Sequence, residues 1–327
     1  LGLTSKGACA GDSDRKGLCD SKGEYMSRRN RRPVRGKNRK QEAKKVNLRS
    51  RKPSLEALED RKLLAVTAFQ QGVIPAAYEG QADTVLYSRD PDSNFGTEGS
   101  ISPDQQDSNG VRQGLLKFDD IIGPGNPIPL GAQINSAELD VEVINDSNSA
   151  MQMSLYRMQV PWSEGTATWN SFGDIGGIQT SEGESSDLPP DAILFDPDTS
   201  SESPVTGGIF DVTRSLSYWS AGAANNGWMI ESAATNGWDF RTKESSPTLR
   251  PRLTVDWSVP GSDQFEILST NIFPAEGDSG TTTAVVDVAR YGSLNAAGSV
   301  TYSIEAGTAQ AGDFVEELNQ TLDFSVG

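Results

Sequence analysis

AELDVEV, residues 137–143, alternates without a break. Ala137, Leu139, Val141 and Val143 fall on one side of an extended chain, and Glu138, Asp140 and Glu142 on the other. A period of two marks a strand with one face in a core and one in water. The pattern recurs in MQMSLYRM, with Met151, Met153 and Leu155 on one face, and in LTVDW, with Leu253, Val255 and Trp257. Between such runs stand IGPGNPIPLG and DLPPDA, rich in the residues that turns require. One short helix is expected at DVTRSLSYWSAG. Asp211 can cap it, Val212, Leu216 and Trp219 share a face, and Gly222 can end it. The fold class that follows is all-β, a jelly-roll-like β-sandwich.

Outward from this body the charge changes sign. Residues 1–65 hold 19 Lys+Arg and 8 Asp+Glu, a net of +11. The rest holds 29 − 19 = 10 basic and 45 − 8 = 37 acidic residues, a net of −27. Such a split separates a basic, disordered arm from an acidic folded body. The acidic body argues against nucleic acid as a ligand and favours divalent cations, cationic partners or neutral polymers. The absence of histidine removes Ser-His-Asp and Cys-His catalysis and imidazole-bound zinc. Any enzyme reading must use paired carboxylates, and no stretch isolates one in an apolar setting, so the chain reads as non-catalytic. The only cysteines, Cys9 and Cys19, lie in the polar arm, and no apolar run is long enough to span a membrane.

The arm (residues 1–75) has three readings: a nucleic-acid or nuclear-targeting tail, an unstructured linker, or an export leader. Met26, directly before the basic run, is a candidate natural start. LEALEDRKLLA, residues 55–65, resembles the LEDR-x-LLA motif near the N-terminus of many large planctomycete extracellular proteins. That resemblance implies export and an extracellular or cell-surface location.

Residues 76–258 resemble the DNRLRE-type domain, family ninety-six of the carbohydrate-binding modules. The matching pieces are ADTVLYSRDPDSNFG, VRQGLLKFDDI, INSAELDVEV, LYRMQVPWSEGTATWNSFG, FDVTRSLSYWSAGAANNGWMI and WDFRTKESSPTLRPRLTVDW, in the family's order. The resemblance implies a β-sandwich that binds extracellular polysaccharide, with alginate the suggested ligand. Within it, Trp162, Glu164, Thr168 and Trp169 match a recurring W-x-E-x-x-x-T-W loop. The two tryptophans either offer platforms for stacking sugars or plug the end of the sandwich, with Glu164 or Thr168 bonding to the loop backbone. For a polyuronate the cations matter, because guanidinium forks bind carboxylates in pairs of bonds. Arg112, Lys117, Arg157, Arg241 and Lys243 are the candidates, each equally able to sit in a surface ion pair. Lys117 and Asp119 share a strand face with Leu115, which suggests a groove on the sheet face. Calcium has a foothold in DPDSNFG, where Asp90, Asp92 and Asn94 offer oxygens at alternate positions and Asp83 lies just before. Ordinary turn chemistry explains the same residues.

Pro260-Gly261-Ser262 lies in a linker, residues 259–263, before a second unit, 264–327. FEILSTNIF, TTTAVVDVARYG, SVTYSIEAG and QTLDFSVG read as four strands of an immunoglobulin-like sandwich, which needs about seven to close. The unit is therefore expected to be incomplete. PAEGDSG, Arg290-x-Gly292, VTYSIEAGTAQAGDFV and TLDFSVG resemble a Calx-β repeat. This implies calcium at one end, with Glu276 and Asp313 matching acidic ligand positions. The whole reads as an extracellular polysaccharide binder. The alternatives are an adhesion or scaffold protein with other surface or matrix proteins as partners, or the targeting end of a larger polysaccharide-degrading enzyme.

Overall fold

In a computed structural model, the described residues are 63–107, 110–145, 151–186, 189–196, 208–233, 235, 237–269, 283–305 and 314–326. Cys9, Cys19, Met26, most of LEALEDRKLLA, Glu276 and Asp313 lie outside them.

The alternating runs are strands. In chain order they are β1 (Leu63–Phe69), β2 (Gln81–Tyr87), β3 (Ser100–Ile101), β4 (Asp104–Asp107), β5 (Gly110–Phe118), β6 (Gln133–Val141) and β7 (Val143–Asn145). There follow β8 (Met151–Arg157), β9 (Ala192–Asp196), β10 (Gly208–Asp211), β11 (Trp228–Ser232), β12 (Asp239–Arg241) and β13 (Arg252–Val259). One sheet runs β1-β13-β6-β10. A second runs β2-β5-β11-β8-β9, with β4 also on β5, and a small third runs β3-β12-β7. Every pairing is antiparallel. The expected all-β sandwich is what the chain forms.

The core lies between the first two sheets because their inward side chains are the apolar ones. Ala137, Leu139, Val141, Phe210, Leu253 and Val255 from one sheet meet Leu116, Phe118, Met153, Leu155, Trp228 and Ile230 from the other. Glu138, Asp140 and Glu142 are exposed, as the alternation requires. The AELDVEV run crosses a break at Glu142, so Ala137, Leu139 and Val141 serve one sheet and Val143 the small third one. The helix α1 (Thr213–Ser220) follows β10. Asp211 Oδ1 accepts the Thr213 amide at 3.0 Å, Val212, Leu216 and Trp219 are buried, and Gly222 takes a φ of +107° just after the helix.

Strand β1 falls inside the segment read from sequence as an arm. Its seven residues pair in unbroken register with β13, from Leu63 against Val259 to Phe69 against Leu253. Phe69 is fully buried, so the sandwich starts earlier than residue 76.

The second unit contributes β14 (Gln264–Ile267), β15 (Val288–Tyr291), β16 (Gly298–Ile304) and β17 (Glu317–Phe324), paired β14-β15 and β16-β17. It is fastened to the sandwich. Leu268, Ala289 and Tyr291 pack against Tyr218 of α1. The Tyr218 hydroxyl donates to Asp287 Oδ2 at 2.8 Å, and the Gly292 amide to the Gly131 carbonyl at 2.8 Å.

Gly227, just before β11, has a φ of +72°. A Cβ there would lie 2.3 Å from the Leu116 carbonyl oxygen and 2.3 Å from Lys117 Cβ. Neither obstacle is the free end of a side chain. Gly227→Ala is therefore expected to cost at least about 1 kcal/mol, read as a lowered urea midpoint at unchanged slope.

Candidate functional site

The outer face of the second sheet is also apolar: Leu86, Leu115, Tyr156 and Met229 point away from the main core. They need a cover, and the loop 160–178 supplies one. Trp162, Ala167, Phe172 and Ile178 from this loop complete a second cluster with them. Gln113, on the same face as Leu115, ties down the far end, donating to the Ile178 carbonyl at 3.0 Å and accepting its amide at 2.7 Å. The face that carries Leu115 and Lys117 is thus roofed by the loop rather than open as a groove.

Both tryptophans of the loop have positions that packing explains. Trp162 is 8% exposed and donates its indole N–H to the Asn226 carbonyl at 2.8 Å. Trp169 is half-buried. A Cβ on Gly176 or Gly177 would come within 2.7 Å of its ring, so the ring lies against a bare glycine backbone. Thr168 and Ser171 form a reciprocal cap around the short helical turn of Trp169–Ser171.

Glu164 fixes the loop to the body. Its Oε1 accepts the Asp83 amide at 2.9 Å, and its Oε2 accepts the Lys243 ammonium at 2.5 Å. So Glu164 bonds to a neighbouring strand, not to its own loop. Asp83 is 1% exposed, and its Oδ2 accepts the Lys243 amide at 3.0 Å and the Gln81 carboxamide at 3.2 Å. Burial, reinforced by Glu244 and Glu164 and opposed by the Lys243 N–H, pushes the Asp83 carboxyl up to about 8. Burial pulls the Lys243 ammonium down, but the hydrogen bond to Glu164 and the surrounding carboxylates outweigh it and raise its pKa.

The calcium candidates do not converge. Asp90 accepts the Ser93 hydroxyl at 2.8 Å, and Asp92 accepts the Asn170 carboxamide at 2.8 Å. Asn94 donates to the carbonyls of Glu164 and Ala167 at 2.6 and 2.8 Å and accepts the Gly96 amide. These bonds pin two loops together. Asp83 instead meets Glu164 and Glu244, whose carboxylates lie within 4.8 Å of one another. Among the described residues this trio is the acidic group that could hold a cation, but Lys243 already stands in it, 3.9 Å from Glu244.

The five candidate bases separate into two groups. Lys117 pairs with Asp119 at 2.9 Å and lies 5.1 Å from the Trp162 ring centroid. Arg157 is buried on Asp191, its guanidinium carbon 3.4 Å from the Tyr218 ring centroid. Lys243 belongs to Glu164. Arg112 and Arg241 form no ion pair among the described residues, and Arg241 Nε has no hydrogen-bond partner.

Arg112 lies 4.5 Å over the Tyr87 ring in a cavity of about 230 Å³. Val85, Phe95, Glu98, Ser100 and Ser102 line it as well. Arg241 sits directly opposite Ser100 in the β3-β12 ladder. Opposite residues of an antiparallel pair project to the same face, so Arg241 stands beside the serine that lines the cavity. Sequence reasoning found the two arginines but not Tyr87, Phe95, Glu98 or the serines. The period-two pattern of β2, placing Asp83, Val85 and Tyr87 on one face, was the available signal.

Residues 75–179 match the model of carbohydrate-binding module family 96. The match spans β2 to β8 and the tryptophan loop, and so includes Tyr87, Arg112, Trp162, Glu164 and Trp169. Arg241 and Lys243 lie beyond it. No curated protein matches the chain at a significant level.

Two outcomes test these assignments. Arg157→Ala leaves the buried Asp191 carboxylate without its main partner, which costs about 3–5 kcal/mol; chemical denaturation should show it as a large loss of stability. For Asp83 the folded pKa is raised, so the folded state holds the proton longer than the unfolded chain. The associated stability is present below about pH 4 and is lost as pH rises to about pH 8. Asp83→Asn should flatten the fall in melting temperature between pH 5 and pH 9.

Proposed function

We propose that the first sandwich binds an extracellular polysaccharide and does no chemistry on it. The observation that carries this is the family match over residues 75–179, on a body with an aromatic-and-arginine cavity that suits a sugar. A polyuronate of the alginate type, or another wall or matrix glycan, is the ligand class. Non-catalytic action is supported by the state of Asp83. Its pKa suits a general acid, but it is buried and held by the Lys243 amide and the Gln81 carboxamide, so no substrate oxygen can reach it as folded.

In the same reading the chain acts outside the cell, on the strength of its LEDR-type motif. Its second unit acts as a Calx-β spacer or calcium-dependent adhesion repeat through Glu276 and Asp313. Four strands, β14 to β17, lie in or overlap the segments that the sequence pattern marks as strands. The adhesion or scaffold alternative keeps both units and drops the sugar.

Affinity electrophoresis of the full chain through gels containing alginate, pectin or a neutral β-glucan decides between these, each run with calcium and with chelator. Retardation by at least one polymer is the expected result. Unchanged mobility in every gel would favour protein partners instead, and loss of retardation on chelation would bring calcium into the binding step.

A further inference from the structure

In a body of net charge −27 over residues 66–327, carboxylates outnumber bases, so a base that lines a cavity without an ion pair is a candidate for a ligand. Lys117, Arg157, Arg214, Lys243 and Arg290 all have one. Among the described residues the other five, Arg89, Arg112, Arg241, Arg250 and Arg252, form no ion pair. Arg89 and Arg252 are exposed and Arg250 is held by the Ser245 and Gln71 carbonyls, whereas Arg112 lines a cavity and Arg241 stands beside it, opposite Ser100. We propose that the cavity over Tyr87, with Arg112 and Arg241 as its cationic poles, reads an anionic substituent on the polysaccharide, a carboxylate or a sulfate ester. The proposal rests on the polysaccharide-binding reading above.

Several features of the site point the same way. An arginine fork matches a planar carboxylate or a sulfate with paired hydrogen bonds. Stacking of Arg112 on Tyr87 holds the fork in place before ligand arrives, which lowers the ordering cost of binding. Phe95, 6.3 Å from Tyr87 between ring centroids and edge-on to it, extends the apolar wall against which a sugar ring can rest. Ser100 and Ser102 offer hydroxyls. Glu98, on the same rim, repels a second anion and accepts sugar hydroxyls, so the ligand it favours has one anionic group with free hydroxyls beside it. The volume, about 230 Å³, is below the roughly 300–1,000 Å³ of drug-sized ligand sites. It suits one charged ring, with the polymer continuing outside.

The test is affinity electrophoresis of the full chain and its variants in alginate, in a sulfated galactan and in neutral β-glucan. Arg112→Gln and Arg241→Gln remove the poles, and Arg112→Lys keeps the charge but not the fork. Arg252→Gln, at an exposed position on β13, removes the same charge elsewhere. The expected result is wild-type retardation by one anionic polymer, which identifies carboxylate or sulfate. Each groove variant should weaken it about tenfold or more at unchanged melting temperature, with Arg252→Gln binding as wild type. Equal binding by wild type and the groove variants would overturn the groove and leave polysaccharide binding standing. Retardation by the neutral glucan alone would overturn anion reading. Retardation by none would overturn both.

Discussion

Glu164 is the contact on which the arrangement of the first sandwich turns. One carboxylate from a surface loop reaches the backbone of β2 through the Asp83 amide and a distant lysine through Lys243. These bonds hold the near end of the loop 160–178, as Gln113 holds its far end. Without the loop, Leu86, Leu115 and Met229 would face water from a sheet whose other side is already in the core. The sandwich is therefore three layers deep on this flank: sheet, sheet and loop. The apolar clusters exist because a polar clasp puts the third layer in place.

A second polar line runs through the interior. The Trp228 indole donates to Ser215, Ser215 to Asp191, and Arg157 meets the same carboxylate while resting on Tyr218. Tyr218 then reaches Asp287 in the second unit. Buried groups of this kind are costly unless each finds a partner. Here the partners come from β8, the 189–191 segment, α1 and β11, so the line enforces one mutual placement of these elements. It also explains why Arg157, a cation in a mostly acidic body, is withdrawn from solvent and from any ligand.

Much of the fold was legible because its determinants are local. The alternation at residues 137–143, 151–157 and 253–257 reads directly as half-buried strands, and the Asp211-to-Gly222 signals bracket α1. Edge strand β1 was missed because LLAVTAF follows a long basic run and carries no alternation of charge. The site was legible only in part. Arg112 and Arg241 were visible as rare bases, but their freedom from ion pairs depends on which carboxylates the fold brings near, at separations of dozens of residues. Lys117, Arg157 and Lys243 looked the same in sequence and differ only in having such neighbours. Likewise, Asp83 looked like a companion of Asp90 and Asp92, whereas the strand carries it to Glu164, 81 residues away. The tryptophans posed a choice between ligand and core that spacing alone does not resolve. The covering role of their loop favours packing for Trp162.

The β1-β13 ladder has a mechanical side. Leu63, where the chain enters the sandwich, is paired with Val259, where it leaves for the second unit. Entry and exit thus lie at the same end of one antiparallel ladder. Tension that draws these two points apart across the ladder would not be shared by all its hydrogen bonds at once, as in shear. It would load them one after another from that end, so the sandwich would yield like a zipper, with β1 the first element to peel away.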